Sequence, residues 1–366
     1  MNLPMSWTRL RLLLLACALL LATLPLGCSD DSSMGPEPSS GSWEDLGLSA
    51  NFADVGALAS WNGLLVVEAH LHRFQGEDYS GLLTWDGSAW TKLPNPFGGA
   101  VKALAAFDGD LIVGCGFNVV NGDTLPNIGA WDGSQWTMLG TELADGSVTA
   151  LTTYQGNLVA AVDIFNGTTS TSYFARWDGA SWHRMGGTLN GYVGTMTVYQ
   201  GLLVVGGFFD TVDGIPAKGV AAWNGTAWAS VGGGIEGGLN STGSVNALST
   251  DGTTLYAGGD FRVAGGVPAV NVARWNGSAW DSLGAGLSHP TIMVYARGLA
   301  IFDNTIVAGG VFATEGVWRW NGSTWGPMTT LYGVVNVLTI HNGTLIAGGY
   351  FPTGTNSAYG VARWVP

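Results

Sequence analysis

Short apolar runs separated by polar turn residues recur from residue 42 to the end of the chain. One kind reads Val-x-x-Leu, as in Val101-Lys102-Ala103-Leu104 and Val245-Asn246-Ala247-Leu248. The next is a continuous run closed by glycine, as in Leu203–Gly207 and Leu255–Gly259. A third run ends on Trp, and a fourth begins on Trp five residues later. Runs this short, bounded by Gly, Asn and Asp, predict strands rather than helices. We name the four strands a, b, c and d. Asp-Gly or Asn-Gly falls between c and d, a short-hairpin signal.

The four-strand unit repeats. Its Trp-x-Gly-x-x-Trp core occurs at Trp85/Trp90, Trp131/Trp136, Trp177/Trp182, Trp223/Trp228, Trp275/Trp280 and Trp320/Trp325. A seventh copy is split between Trp43 and Trp364. Residues 42–366 thus hold seven units of about 46 residues. One such unit cannot bury both faces of its sheet, but seven packed radially can. The expected fold is therefore all-β: a seven-bladed β-propeller of four-stranded antiparallel blades, with the first and last strands pairing to close the ring and remove two open edges.

The units also serve as their own alignment. The spacing from strand a to strand b is constant, as is the Trp-to-Trp spacing across c and d. The d–a and b–c connections vary: Trp325 to Val335 spans 10 positions and Trp228 to Val245 spans 17. Antiparallel succession puts these two variable connections on one face. That face is expected to be the working one, since recognition is usually built on loops over a rigid scaffold.

The best copy runs Gly258-Gly259-Asp260-Phe261, Gly266-Val267-Pro268-Ala269, Ala273-Arg274-Trp275-Asn276-Gly277, Trp280 and Leu283-Gly284. It resembles the kelch and galactose-oxidase-type propeller repeats, and more closely the bacterial, Rax2-like propeller repeat. The resemblance covers residues 42–366 and implies fold rather than activity. The copper-site residues of galactose oxidase have no counterpart here, so that chemistry is not implied. No cofactor is expected.

The start of the chain adds a location. Arg9 and Arg11 precede the apolar run Leu12–Leu26, too short to span a membrane but suited to a secretory leader. The run ends Leu24-Pro25-Leu26-Gly27-Cys28, which resembles a bacterial lipoprotein cleavage motif, although Pro25 and Leu26 stand where Leu and a small residue are usual. The expected organisation is a signal peptide over 1–27, a lipidated Cys28 with a polar tether over 28–41, and the propeller over 42–366. Ser29 after the cysteine resembles an outer-membrane signal. The expected location is the cell envelope, with the membrane contacted only through the N-terminal lipid, or outside the cell.

Composition agrees. Of 366 residues 58 are Gly and 17 are Trp, and only 11% are charged. Gly is poor in helix interiors, and the aromatics can fill a core. The formal charge is −13, and removing the leader leaves −15. No Lys/Arg cluster is available for phosphates, which excludes nucleic acid as the expected partner. Cys17 leaves with the leader and Cys28 takes the lipid, so Cys115 is expected to be a lone, buried thiol.

Candidate chemistry is sparse. The position after the strand b glycines is His70, Gly116, Asp163, Phe208, Asp260, Val311 and Tyr350 in turn, too varied for a uniform core site. Glu68, His70 and His72 share one strand face and could ligate a metal. Tyr192, Tyr332 and Phe97 in d–a loops could form an aromatic platform for sugars. His70, His72, Asp163, Asp260, Tyr192 and Tyr332 are the candidate ligand-binding residues, and no catalytic set is assigned. The Asn-Gly-Thr/Ser motifs at Asn224, Asn276, Asn321 and Asn342 read as turns. Arg176, Arg274, Arg319 and Arg363, each before a strand c Trp, are expected to pack between blades.

Three functions fit. The first is a monomeric, envelope-tethered, non-catalytic scaffold contacting protein or polysaccharide through the variable face. The second is a propeller enzyme, a hydrolase or lyase of extracellular glycans; Glu68, His70, Asp163 and Asp260 around one deep pocket would favour it. The third is a purely structural envelope protein.

Overall fold

The computed structural model describes residues 41–48, 52–94, 100–116, 119–120, 123–124, 127–240, 243–288, 294–312, 315–329, 331–353 and 357–366. The chain divides into Met1–Glu37 and Pro38–Pro366, and all of these residues belong to the second unit. They form an all-β propeller of antiparallel sheets, without a helix among the described residues. Repeated four-strand sets follow the expected a-b-c-d order, as in Phe52–Trp61, Leu64–Phe74, Glu77–Trp85 and Trp90–Lys92. The first described strand, Ser42–Asp45, pairs with the last, Ser357–Val365, placing Trp43 opposite Trp364.

Strand a of each set contacts strand a of the next. The sequence of neighbours is Phe52–Trp61, Val101–Phe107, Ser147–Tyr154, Tyr192–Tyr199, Ser244–Thr250, Tyr295–Phe302 and Val334–His341, and the last also contacts the first. The a strands are therefore the inner ones. Ser60 Oγ lies 2.9 Å from His341 Nδ1 across the junction between last and first. Apolar clusters fill the spaces between successive sets; one joins Leu65, Val67 and Leu83 to Ile346 and Val361.

The paired tryptophans hold the sets together. Ring centroids within a pair are 5.2 to 5.7 Å apart. The strand d indole N–H then donates to a carbonyl of the preceding set's strand d region. These bonds are Trp43 to Met328 (2.8 Å), Trp90 to Leu46 (2.8 Å), Trp136 to Pro94 (2.6 Å), Trp182 to Leu139 (2.7 Å) and Trp280 to Val231 (2.9 Å). Trp228 and Trp325 bury the same N–H without a partner. Before Trp228 the outer strand Trp182–Leu189 runs on, Gly186 turns to φ +58°, and Trp228 packs on Phe174 at 4.7 Å instead.

The turns differ from expectation in an instructive way. Asp-Gly and Asn-Gly between c and d do not form two-residue turns. Trp85 pairs with Trp90, so four residues lie between. Asp86 Oδ1 accepts the N–H groups of Ser88 and Ala89 at 2.8 Å each, and Asn224, Asn276 and Asn321 repeat this. The side chain mimics a turn carbonyl, which also accounts for the Asn-Gly-Ser/Thr motifs at Asn224, Asn276 and Asn321. The two-residue turns, with both central residues at positive φ, lie between a and b: Asn62-Gly63, Asp108-Gly109, Gln155-Gly156, Gln200-Gly201 and Asn342-Gly343. Of the arginines before the strand c Trp, Arg319 is half-buried with its guanidinium 5.8 Å from the Phe302 ring centroid, but two others depart from the packing role. Arg274 pairs with Asp281 (2.6 Å) and Arg363 with Glu44 (2.9 Å) on the adjacent strand d, both at the surface.

Candidate functional site

Every inner strand carries a β-bulge one residue after its Val position. The extra residue is Gly56, Lys102, Thr149, Gly194, Asn246, Arg297 or Asn336 in chain order. A bulge takes a residue out of the ladder and re-aims its side chain. Five of these seven side chains are polar, and three of them, Asn246, Arg297 and Asn336, join one set to the next, whereas Thr149 buries its hydroxyl without a hydrogen-bond partner. Asn246 Nδ2 donates to Ala296 O (2.9 Å). Arg297 donates to Asn336 Oδ1 (2.5 Å) and to the Tyr295 hydroxyl (2.8 Å). Asn336 Nδ2 donates to Asp54 Oδ1 (2.8 Å) and Val55 O (3.0 Å). The result is a polar belt at the strand b ends.

In the first set the belt is built differently. Its bulge residue is Gly56, and the polar group comes from strand b as Glu68, which is 3% exposed. Glu68 Oε2 accepts the Gly56 N–H at 3.2 Å. A Cβ on Gly56 would stand 2.7 Å from that oxygen, so glycine leaves room for the carboxylate. Burial pushes the Glu68 carboxyl above its ordinary value, while His70 and the Gly56 N–H pull the other way.

His70 and Glu68 are in contact, with Nε2 3.2 Å from Oε1. His72 turns to a different partner: its Nδ1 lies 2.6 Å from Asp78 Oδ1. Among the described residues no group of three candidate ligands is close enough to hold a metal ion. Sharing a strand face is not proximity, because residues i and i+4 stand about 13 Å apart along a strand. His70 and His72 instead line a cavity of about 310 Å³ with Leu71, Asp78, Tyr79 and Ser80. A second cavity of about 560 Å³ lies beside it against Leu46, Arg73, Phe74, Trp85 and Trp90.

Asp163 lies in the third set. Ser170 and Ser172 donate to it at 3.3 and 3.4 Å, and burial raises its carboxyl against these bonds and the nearby Lys102 charge. Tyr192 is within its field: burial first, then Asp163, raises the phenol. Tyr192 pairs across strands with Phe208, and both are exposed. Tyr332 is more than half exposed in its loop. Asp260 ends strand b of the fifth set opposite Ser244. Glu68 and His70 thus touch, and Asp163 and Tyr192 interact. Cys28 and Phe97 lie outside the described residues. Cys115 is fully buried, and desolvation, then Glu68, pushes its thiol up to about 12.

Sequence reasoning passed over the bulge residues and Ser80. Their signals were available: a polar residue after the strand a Val, and a serine across from His70 once the hairpin is paired.

No protein-family model matches the chain, and no curated protein matches it. Solved structures do. An acylaminoacyl peptidase in complex with Z-Gly-Gly-Phe-chloromethyl ketone is similar with a TM-score of 0.52 and 10% identity, over 86% of this chain and 52% of that one. The chain thus spans about half the peptidase's length. The AfRom2 CNH domain is similar with a TM-score of 0.50 and 11% identity, over 89% of this chain and 99% of that one. YjhT is similar with a TM-score of 0.43 and 13% identity, over 74% and 95%. At these identities the likeness is one of propeller fold.

Proposed function

We propose that the chain is an envelope-tethered binding scaffold of the Rax2-like kind. In this reading the seven sets are blades of one closed ring, Cys28 carries the lipid, and residues 28–41 hold the ring off an outer membrane. The working face is the one bearing the d–a and b–c connections, and its ligand is a protein or polysaccharide. The observation that supports this is the polar belt: the inner bulges and strand b ends gather Asp54, Lys102, Asp163, Arg297 and Asn336. The exposed Tyr192 and Phe208 stand beside it. Aromatic faces with hydrogen-bonding groups suit sugars and protein loops alike.

Two experiments test the reading. Cys28→Ser should release the chain from membranes; equal retention would remove the anchor. Affinity capture from the cell envelope, run with a glycan array, should find a ligand. A tag in a d–a loop, or Tyr192→Ala with Phe208→Ala, should weaken that capture at least about tenfold, the effect of one to two buried contacts. A tag in a c–d turn should leave it intact. Loss only with the c–d tag would put the working face on the other side.

A further inference from the structure

The first set's b–c hairpin holds a chain of contacts that ligand binding does not require. Leu64–Phe74 and Glu77–Trp85 pair so that His70 stands opposite Ser80. Ser80 Oγ lies 2.5 Å from His70 Nδ1, and His70 Nε2 lies 3.2 Å from Glu68 Oε1. Glu68 Oε2 is in turn held by the Gly56 N–H. A hydroxyl, an imidazole and a buried carboxylate in hydrogen-bonding order are the parts of an activated nucleophile: the acid orients the ring and stabilises its cation, and the ring takes the hydroxyl proton. His70 and Ser80 are exposed, so substrate can reach them, whereas Glu68 is sealed in the blade.

The site adjoins a shallow depression of about 310 Å³ that is open to solvent and lined by the half-buried Tyr79, room for a small group. His72 belongs to the same lining, with its Nδ1 held 2.6 Å from Asp78 Oδ1. The net charge of −13 disfavours anionic substrates.

We propose that Ser80, His70 and Glu68 form an acyl-transfer site that hydrolyses neutral esters of small carboxylic acids. Ser80 Oγ attacks the ester carbonyl as its proton passes to His70 Nδ1. The tetrahedral adduct collapses, the C–O bond to the alcohol breaks, and His70 returns the proton to the departing alcohol. Water then attacks the acyl-serine with His70 as base, releasing the carboxylic acid and restoring the Ser80 hydroxyl. Ser80 and His70 are catalytic residues; Glu68 is a positioning residue.

The test uses the full chain with two probes, diisopropyl fluorophosphate and 4-nitrophenyl acetate. The first should add one phosphoryl group at Ser80, seen by peptide mass, with loss of fluoride. Ester hydrolysis should fall about 100-fold or more in Ser80→Ala and in His70→Gln, the scale of lost base and nucleophile assistance. Ser80 is at the surface, so Ser80→Ala tests the site without disturbing the core. Glu68→Gln should lower kcat with KM unchanged and alter the pH–rate profile, and Glu68→Asp should restore part of the rate. Absence of the Ser80 adduct, or hydrolysis undiminished in Ser80→Ala, overturns the proposal.

Discussion

The first and fifth sets solve one packing problem in opposite ways. In the fifth, strand b carries Gly258-Gly259 and the inner bulge carries Asn246. A Cβ on Gly258 would stand 3.0 Å from Ala296 Cβ of the next set, and one on Gly259 would stand 1.9 Å from Ser244 O. Glycine there lets the sheets close, and the polar group of the belt comes from Asn246. In the first, strand b carries Glu68-Ala69 and the bulge is Gly56. The carboxylate reaches the place where a bulge side chain would start. In these two sets the polar group comes from opposite strands, and the strand that does not supply it carries glycine at the contact. The exchange has a chemical consequence: asparagine cannot titrate, whereas the buried glutamate can, and it contacts a histidine at the surface.

The comparison can be broken most forcefully at the tryptophans. Trp280 and Trp90 make the same bond to the preceding set, but Trp280 is buried and Trp90 is half-buried. Trp280→Ala should cost about 4 kcal/mol in urea unfolding and Trp90→Ala about 2 kcal/mol, in proportion to the buried surface lost. Equal losses would mean that the hydrogen bond, not burial, dominates. The glycine swap comes next. Gly259→Ala should cost about 3 kcal/mol, because the new methyl group meets backbone that cannot rotate away. Ala69→Gly at the matching place should cost only about 1 kcal/mol. A harmless Gly259→Ala would show that the fifth set can open as the first does.

Smaller effects sharpen the picture. Asn276→Ala removes the acceptor of a c–d turn and should cost about 1 kcal/mol at any pH between 3 and 8. Asp86 plays the same part in the first set. The N–H groups of Ala89 and Ser88 hold its carboxyl below the usual range. The Asp86 contribution is therefore present above the ordinary carboxylate value and fades as pH falls through the lowered one. Asp86→Asn should remove that acid sensitivity. The least effect in size, though the most specific, concerns Glu68. Its carboxyl is raised from 4.5 by burial, so the native state binds the proton more tightly than the unfolded chain. Stability should decline as pH rises from about 4.5 through the raised value, and Glu68→Gln should flatten that slope in urea midpoints measured across pH.

Much of this molecule was legible in its residues. Trp pairs five apart, runs of Val and Leu, and the recurrence of both marked four-stranded units and their order, because strand periodicity and large apolar side chains act locally. Trp43 and Trp364 read as two parts of one unit, and strand pairing sets them opposite each other. Other features were not legible. Asn-Gly and Asp-Gly pointed to two-residue turns, but the pairing of Trp with Trp leaves four residues between c and d, and the Asn or Asp side chain completes the turn together with a glycine at positive φ, as in Asp86-Gly87 and Asn276-Gly277. The metal reading of Glu68, His70 and His72 counted faces correctly but not distances. His72 lies beyond the reach of a ligand shared with Glu68, and Asp78 from the neighbouring strand takes it instead.

What the sequence by itself determined is the unit: its strands, their order, its repetition and the large side chains it buries. These follow from short-range chemistry, in which each strand's pattern and each turn's residue act within a few positions. Only the tertiary structure decided which polar groups meet. The inner bulges rotate one residue per strand out of the ladder, and hairpin register sets Ser80 against His70. Sheet packing seals Glu68 behind them while it leaves Asp163 with its own serines. Those meetings depend on bulges, on pairing register and on distances of a few ångströms, which spacing along the sequence does not encode.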